Sequence, residues 1–200
     1  MGESMSAEYT NFLRNKIRLA DFAGYDVDES EINPILKPHQ RAIVKWAVRG
    51  GCRAIFAAFG LGKSVMQIET LRLVQNRAGG NVLVCAPLGV RQEFRRDGLM
   101  LGVEFKFIRS ADEMDDQHTF YLTNYESIRD GKLDPNIFCA VSLDEASVLR
   151  SYGSKTYQTF LDLFQNVRFR FVATATPSRN RYKELIHYAG FLGIMDTGQA

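Results

Sequence analysis

At 200 residues, with 46% hydrophobic and 24% charged side chains, the chain can bury one good core and has the balance of an ordinary globular protein. Its net charge of +2 argues neither for nor against nucleic acid, so any basic surface has to come from local clustering. Cys52, Cys85 and Cys139 each lie in or beside an apolar run without metal-ligand spacing, which predicts buried free thiols in a reducing compartment.

Met1 to Ser4 reads as a start-site extension, with Met5 as an alternative initiator. Ser6 can cap a helix whose apolar positions Tyr9, Phe12, Leu13, Ile17 and Ala20 recur near the helical period, with Gly24 ending it. Asp26 to Glu31 is an acidic, poorly patterned linker. Pro38 suits the first turn of a second helix, with Ile43, Val44, Trp46 and Ala47 as its apolar content and Gly50-Gly51 as its stop. Residues 1–35 are therefore expected to form an N-terminal helical extension and linker, and residues 36–200 a single lobe. No signal-peptide pattern, membrane-length apolar run, internal repeat or low-complexity segment is apparent, and a cytoplasmic location is expected.

From Arg53 onward strand and helix patterns alternate. Apolar runs at Arg53–Ala57, Val82–Ala86, Phe120–Thr123, Phe138–Leu143 and Phe169–Ala173 are interleaved with helical patterns at Lys63–Gln75, Val90–Leu99, Ser154–Phe164 and Arg181–Leu192. That alternation predicts an α/β fold, a parallel sheet covered by helices on both faces. Ligands of such sheets sit beyond the carboxyl ends of the strands. Gly60–Ser64, Pro87–Gly89, Asn124–Glu126, Asp144–Glu145 and Thr174–Pro177 all fall on that edge.

Two of these segments carry chemistry. The first, Phe56-Ala57-Ala58-Phe59-Gly60-Leu61-Gly62-Lys63-Ser64, runs strand, Gly-rich turn, Lys-Ser, helix, the context of a phosphate-binding P-loop. Glycines let backbone N–H groups converge on an anion, the helix presents its positive end, and Lys63 adds a point charge. Ser64 would offer its hydroxyl to Mg²⁺. The full G-x-x-x-x-G-K-[ST] pattern wants glycine where Ala57 stands, and a plain Gly-rich turn before a helix is the competing explanation. The second segment, Val141 to Ser147, ends an apolar run in adjacent carboxylates. Asp144 can hold Mg²⁺, usually through water, and Glu145 can take a proton from an attacking water. A solvated Asp-Glu pair at a strand end is the bland alternative.

Leu36-x-Pro38-His39-Gln40, Gly60-Leu61-Gly62-Lys63-Ser64, Ala86-Pro87-Leu88, Thr123-Asn124-Tyr125-Glu126, Asp144-Glu145-Ala146-Ser147 and Thr174-Ala175-Thr176-Pro177-Ser178-Arg179-Asn180 resemble, in order and spacing, the motifs of superfamily 2 helicases. The nearest likeness is to Swi/Snf-type DNA translocases, over roughly Leu36 to Leu192, the extent of a first RecA-like lobe. Ala57, Ala175 and Ser147 depart from the commonest residues of that pattern. The resemblance implies a RecA-like P-loop domain that binds ATP and Mg²⁺. Gln40 would read the adenine edge. Gly60, Leu61, Gly62, Lys63 and Ser64 would hold the phosphates, with Ser64 and Asp144 at the metal. Lys63, Asp144 and Glu145 would be catalytic, and Thr174 and Thr176 would couple hydrolysis to a DNA track. Structural threonines and a surface glutamine are the plainer alternatives.

The resemblance also implies grip on a DNA backbone, duplex by preference, through Pro87, Leu88, Gly89, Thr123 and Asn124. Arg91, with Arg95 and Arg96, would add charge there, unless these arginines form only a charged outer helix face. Superfamily 2 motors resemble one another in having a second RecA-like lobe that supplies an arginine finger. Such a finger is worth about 10³–10⁵ in rate in related phosphoryl-transfer enzymes. A motor completed by such a lobe, a non-catalytic ATP- or DNA-binding module, a fragment of a phage helicase fused to a DNA methylase, and another P-loop ATPase such as a packaging motor are the functional alternatives.

Overall fold

The computed structural model describes residues 22–146, 149, 155–178 and 184–194, and the helix expected after Ser6 lies outside them. Its elements are α1 (Pro38–Gly50), β1 (Cys52–Phe56), α2 (Lys63–Ala78), β2 (Val82–Cys85), α3 (Arg91–Met100), β3 (Phe105–Phe107), β4 (Phe120–Thr123), α4 (Tyr125–Arg129), β5 (Ala140–Asp144), α5 (Lys155–Phe164), β6 (Phe169–Thr174) and α6 (Glu184–Phe191). The strands form one six-stranded sheet in the order β1-β6-β5-β2-β4-β3, every pairing parallel. This is the α/β architecture expected from the alternation of apolar runs.

The side-chain period of two assigns alternate residues of each strand to opposite cores. Val82 and Val84 face a cluster with Val44, Met66, Leu71 and Phe94 from α1, α2 and α3. Leu83 and Cys85 face one with Ile128, Phe160, Phe164 and Tyr188 from α4, α5 and α6. Helices on both faces explain why β2, β4 and β5 are buried at every position. All three cysteines are free thiols; Cys85 is fully buried, whereas Cys52 and Cys139 are half-buried. Among the described residues no helix is long and apolar enough to cross a membrane.

The five expected strands are present, displaced by at most two residues at either end. Phe138 falls outside β5 because Pro135–Ile137 forms a 3-10 turn that carries the chain into the strand. The sixth strand, β3, is a three-residue sheet edge, too short to stand out as an apolar run. The stretch expected as a linker is tied down. Glu29–Glu31 forms a 3-10 turn capped by Asp28, and the N–H groups of Gly24 and Tyr25 donate to the carbonyls of Arg49 and Val48 at the end of α1. A Cβ on Gly24 would lie 1.7 Å from the Val48 carbonyl oxygen, so only glycine allows that approach.

The anchor of this segment is Glu69 on α2, a carboxylate with no exposed side-chain surface. It accepts from the Asn33 N–H at 2.7 Å and from Arg72 at 2.8 Å, while Arg72 also donates to the Glu31 carbonyl. Removing one partner of a buried pair leaves the other uncompensated. Glu69→Ala is expected to lower the unfolding free energy by about 3 kcal/mol, and Glu69→Gln, which keeps an acceptor for Asn33, by less. Urea denaturation followed by circular dichroism measures both.

Candidate nucleotide site

Because the strands are parallel, the loops after β1, β2, β4, β5 and β6 all leave the same edge of the sheet. The loop after β1 reaches its helix through two residues in left-handed backbone, Gly60 (φ 82°) and Gly62 (φ 79°), conformations that glycine adopts without steric cost. Gly62 is the N-cap of α2, so Lys63 and Ser64 open the helix where its unpaired N–H groups gather. A Cβ on Gly60 would meet no atom within 4 Å, so its positive φ alone calls for glycine, whereas a Cβ on Gly62 would also sit 2.4 Å from Gln40 Nε2.

That contact places Gln40 beside the loop. Its Nε2 donates to the Leu61 carbonyl at 3.0 Å and its Oε1 accepts from the Lys37 N–H at 2.9 Å. Each end of the amide keeps one further hydrogen-bonding position, which is the capacity an adenine edge would need. Lys63 extends its ammonium over the ring of exposed Phe59, 4.8 Å from the centroid.

Asp144 ends β5 and is 8% exposed. Gln67, one turn beyond Lys63 and fully buried, donates from Nε2 to Asp144 Oδ1 at 2.8 Å and accepts from the Ser142 hydroxyl at 2.6 Å. Tyr125 donates to the Asp144 carbonyl at 2.6 Å. Burial pushes the Asp144 carboxyl up to about 6; the Gln67 bond opposes the shift, Glu145 and Glu93 add to it and Lys63 opposes it. Glu145 has φ 48°, the single non-glycine residue with positive φ among those described. Its Oε1 accepts from Thr174 at 3.2 Å and more distantly from Thr176 at 3.5 Å, and the Thr176 N–H donates to Thr174 Oγ1 at 3.1 Å. The two threonines of the last motif are thus joined to the second carboxylate of the Asp-Glu pair.

Ser64 is buried, and its hydroxyl lies 2.5 Å from Asp97 Oδ2 and 3.2 Å from Glu93 Oε1, both on α3. Among the described residues no group of three or more His, Cys, Asp or Glu side chains could hold a metal by itself. Of the two expected metal ligands, Ser64 offers a buried hydroxyl and Asp144 a desolvated carboxylate. That set fits Mg²⁺, which commonly takes one or two protein ligands and fills its octahedron with phosphate oxygens and water.

The segments expected at nucleic acid divide. Pro87, Leu88 and Gly89 are exposed at the carboxyl edge, and Arg91 lies with its guanidinium 4.8 Å from the centroid of Phe107, where Arg109 also approaches. Arg95 and Arg96 are exposed, and Arg96 pairs with Asp97. Thr123 is fully buried and its hydroxyl donates to the Ile108 carbonyl, so that side chain is withdrawn from the surface. Asn124 caps α4 by accepting from the N–H and hydroxyl of Ser127. Gln67, Glu93, Asp97 and Phe59 were not expected at the site. Gln67 carried a signal, a polar residue one turn past Lys63 between the apolar Met66 and Ile68; α3 offered none, since its contact with Ser64 is purely tertiary. A groove of about 940 Å³ along the free edge of β1, lined by Trp46, Phe56, Tyr188 and Leu192 among others, includes none of these residues.

No family model matches the sequence, and no curated protein matches it. Solved structures do match in fold. The Sulfolobus solfataricus SWI2/SNF2 ATPase core in complex with dsDNA superposes with a TM-score of 0.69 at 18% identity, over 84% of this chain and 37% of that one. The UvsW helicase from bacteriophage T4 gives 0.61 at 14% identity, over 78% of this chain and 57% of its own. The Pyrococcus furiosus Hef helicase domain gives 0.61 at 14%, over 79% and 37%. The fold is therefore that of the RecA-like lobe of helicase and SWI2/SNF2 ATPase cores, and the chain spans from about a third to somewhat over half of these relatives' lengths.

The raised pKa of Asp144 has a consequence for stability. A carboxyl harder to ionise folded than unfolded contributes stability below its unfolded value near 3.8, and loses it as pH rises through about 6. Asp144→Asn keeps the acceptor for Gln67 and removes the ionisation. It is expected to raise the unfolding free energy at pH 7 by up to about 3 kcal/mol, at about 1.4 kcal/mol per unit, with the gain vanishing near pH 4. Urea unfolding at the two pH values checks the sign and the trend.

Proposed function

We propose that this chain is the ATP-binding lobe of a superfamily 2 DNA-dependent ATPase, a motor that couples hydrolysis to movement on DNA when joined to a second RecA-like lobe. The observation that carries the proposal is the convergence, on one sheet edge, of the Gly60–Ser64 loop, the Asp144–Glu145 pair and the Thr174/Thr176 hydroxyls bonded to Glu145. The N–H groups at the start of α2 and the Lys63 ammonium would take the phosphates. Ser64 and Asp144 would hold Mg²⁺, which supplies charge neutralisation at the transferring phosphoryl group. Glu145 would accept a proton from the attacking water, and its bonds to Thr174 and Thr176 offer a physical link from that proton to the rest of the sheet edge. The SWI2/SNF2 structure is a complex with dsDNA, and exposed Leu88-Gly89 with Arg91 beside Phe107 is a surface on which this chain could meet a DNA backbone.

Lys63 makes a ring contact with an exposed side chain and no salt bridge among the described residues, so its loss should spare the fold. Lys63→Ala is expected to weaken Mg²⁺-ATP binding at least about tenfold by calorimetry, about 1.4 kcal/mol, with an unchanged melting temperature. Unchanged affinity would remove the phosphate-site assignment.

In a version carrying a second lobe, Glu145→Gln should bind ATP as before and lose turnover, since the amide takes no proton. Residues 1–200 alone should bind but release phosphate below about one per second, the lower end of the usual enzyme range, with or without duplex DNA. Binding without DNA-stimulated turnover even in the two-lobe version would instead favour a non-catalytic module.

A further inference from the structure

The contact between Ser64 and α3 assigns a role that no motif covers. A serine hydroxyl has one hydrogen and two lone pairs, and only a lone pair can face a cation. With Asp97 Oδ2 at 2.5 Å and Glu93 Oε1 at 3.2 Å, the shorter contact takes the Ser64 hydrogen. That length belongs to a charge-assisted O–H···O⁻ bond. Asp97 is itself fixed. It is 6% exposed, and its other oxygen, Oδ1, accepts from Nε and Nη2 of Arg96 at 3.0 and 2.9 Å. Glu93 and Asp97 stand four residues apart on α3, hence on one face, and that face meets the start of α2.

Without Asp97 the hydroxyl keeps only the longer Glu93 contact of 3.2 Å and is freer to turn its hydrogen toward the loop, where it would repel a metal. With it, the oxygen lone pairs are kept on the side away from α3, and the carboxylate behind the O–H makes that oxygen a stronger donor. Outer groups that orient metal ligands typically change metal affinity about 10–100-fold when removed. We propose that Asp97 is a positioning residue for the Mg²⁺-nucleotide site: it holds the Ser64 hydroxyl by its hydrogen and presents the oxygen to the metal. This rests on the nucleotide assignment made above for Ser64.

The test is a Mg²⁺ titration of the binding of a fluorescent ATP analogue, beginning from EDTA, for wild type, Asp97→Ala, Asp97→Asn, Ser64→Ala and the Ser64→Ala/Asp97→Ala pair. In EDTA the Asp97 variants should bind at least as well as wild type, because the loop amides and Lys63 act without the metal and a nearby carboxylate charge is gone; the two Ser64→Ala forms are read against their own EDTA baselines. Asp97→Ala should need about tenfold more Mg²⁺ for half of the affinity gain, a shift at the lower end of that range. Asp97→Asn keeps a neutral acceptor, so about threefold is expected from a weaker bond. In the Ser64→Ala background, losing Asp97 should change nothing further. A general packing role would instead lower the EDTA affinity and act equally in both backgrounds. Should Asp97→Ala not fold, the isosteric Asp97→Asn in the two backgrounds carries the comparison. A wild-type Mg²⁺ response in the Asp97 variants, or an equal loss without Ser64, overturns the role of Asp97 and leaves the nucleotide site standing. Failure of the wild type to bind the analogue at all overturns both.

Discussion

Gln67 is the side chain through which the two halves of the candidate site hold one another. It lies on the helix that begins with Lys63, yet its amide bonds to β5, accepting from Ser142 and donating to Asp144. β5 is not the neighbour of β1 in the sheet; β6 lies between them. A fully buried amide has no water to fall back on, so both bonds have to form together, and in forming they fix α2 relative to the end of β5. The spacing of the loop lysine from the first carboxylate is thereby set by a hydrogen-bond pair as well as by hydrophobic packing.

The second carboxylate is placed differently. Glu145 follows the last residue of β5 and turns sharply out of it, with φ 48°. For an L-residue that region costs about 1–2 kcal/mol, and glycine would be the cheaper choice. A side chain kept there has to be held, and Thr174 and Thr176 from the end of neighbouring β6 do so through Oε1. An outlier of this kind points from strain toward function, the direction in which the inference is allowed to run.

Much of this was legible beforehand, because parallel sheets write themselves in sequence as continuous apolar runs and their loops collect on one edge. Val82–Cys85 and Phe120–Thr123 could be read from composition alone, and the Gly60–Ser64 and Asp144–Glu145 segments from residue type and order. What escaped was tertiary. β3 is three residues whose strand character comes from pairing with β4. Thr123 looks like a surface hydroxyl until the Ile108 carbonyl is found beside it. The Asp26–Glu31 stretch has no period because its order comes from Arg41, Arg77 and the Glu69–Arg72 pair, contacts that cross the chain. Asp97 reads as one more charge on an outer helix until its distance to Ser64 is known.

These placements share an electrostatic logic. Asp144, Glu145, Glu93 and Asp97 bring negative charge to the neighbourhood of Lys63, and the lysine itself leans toward a phenylalanine ring. Asp144 rises to about 6 because burial outweighs the Gln67 hydrogen bond and the Lys63 charge, with Glu145 and Glu93 adding to the rise. Arg96, the cation nearest Asp97, is largely exposed and contributes its bonds from the solvent side. Such an arrangement is held against its own repulsion by burial of the surrounding apolar residues. A compact cation that brings its own anions would satisfy carboxylates and ammonium at once. Mg²⁺ carried by a polyphosphate has that character, and an apolar or singly charged ligand does not.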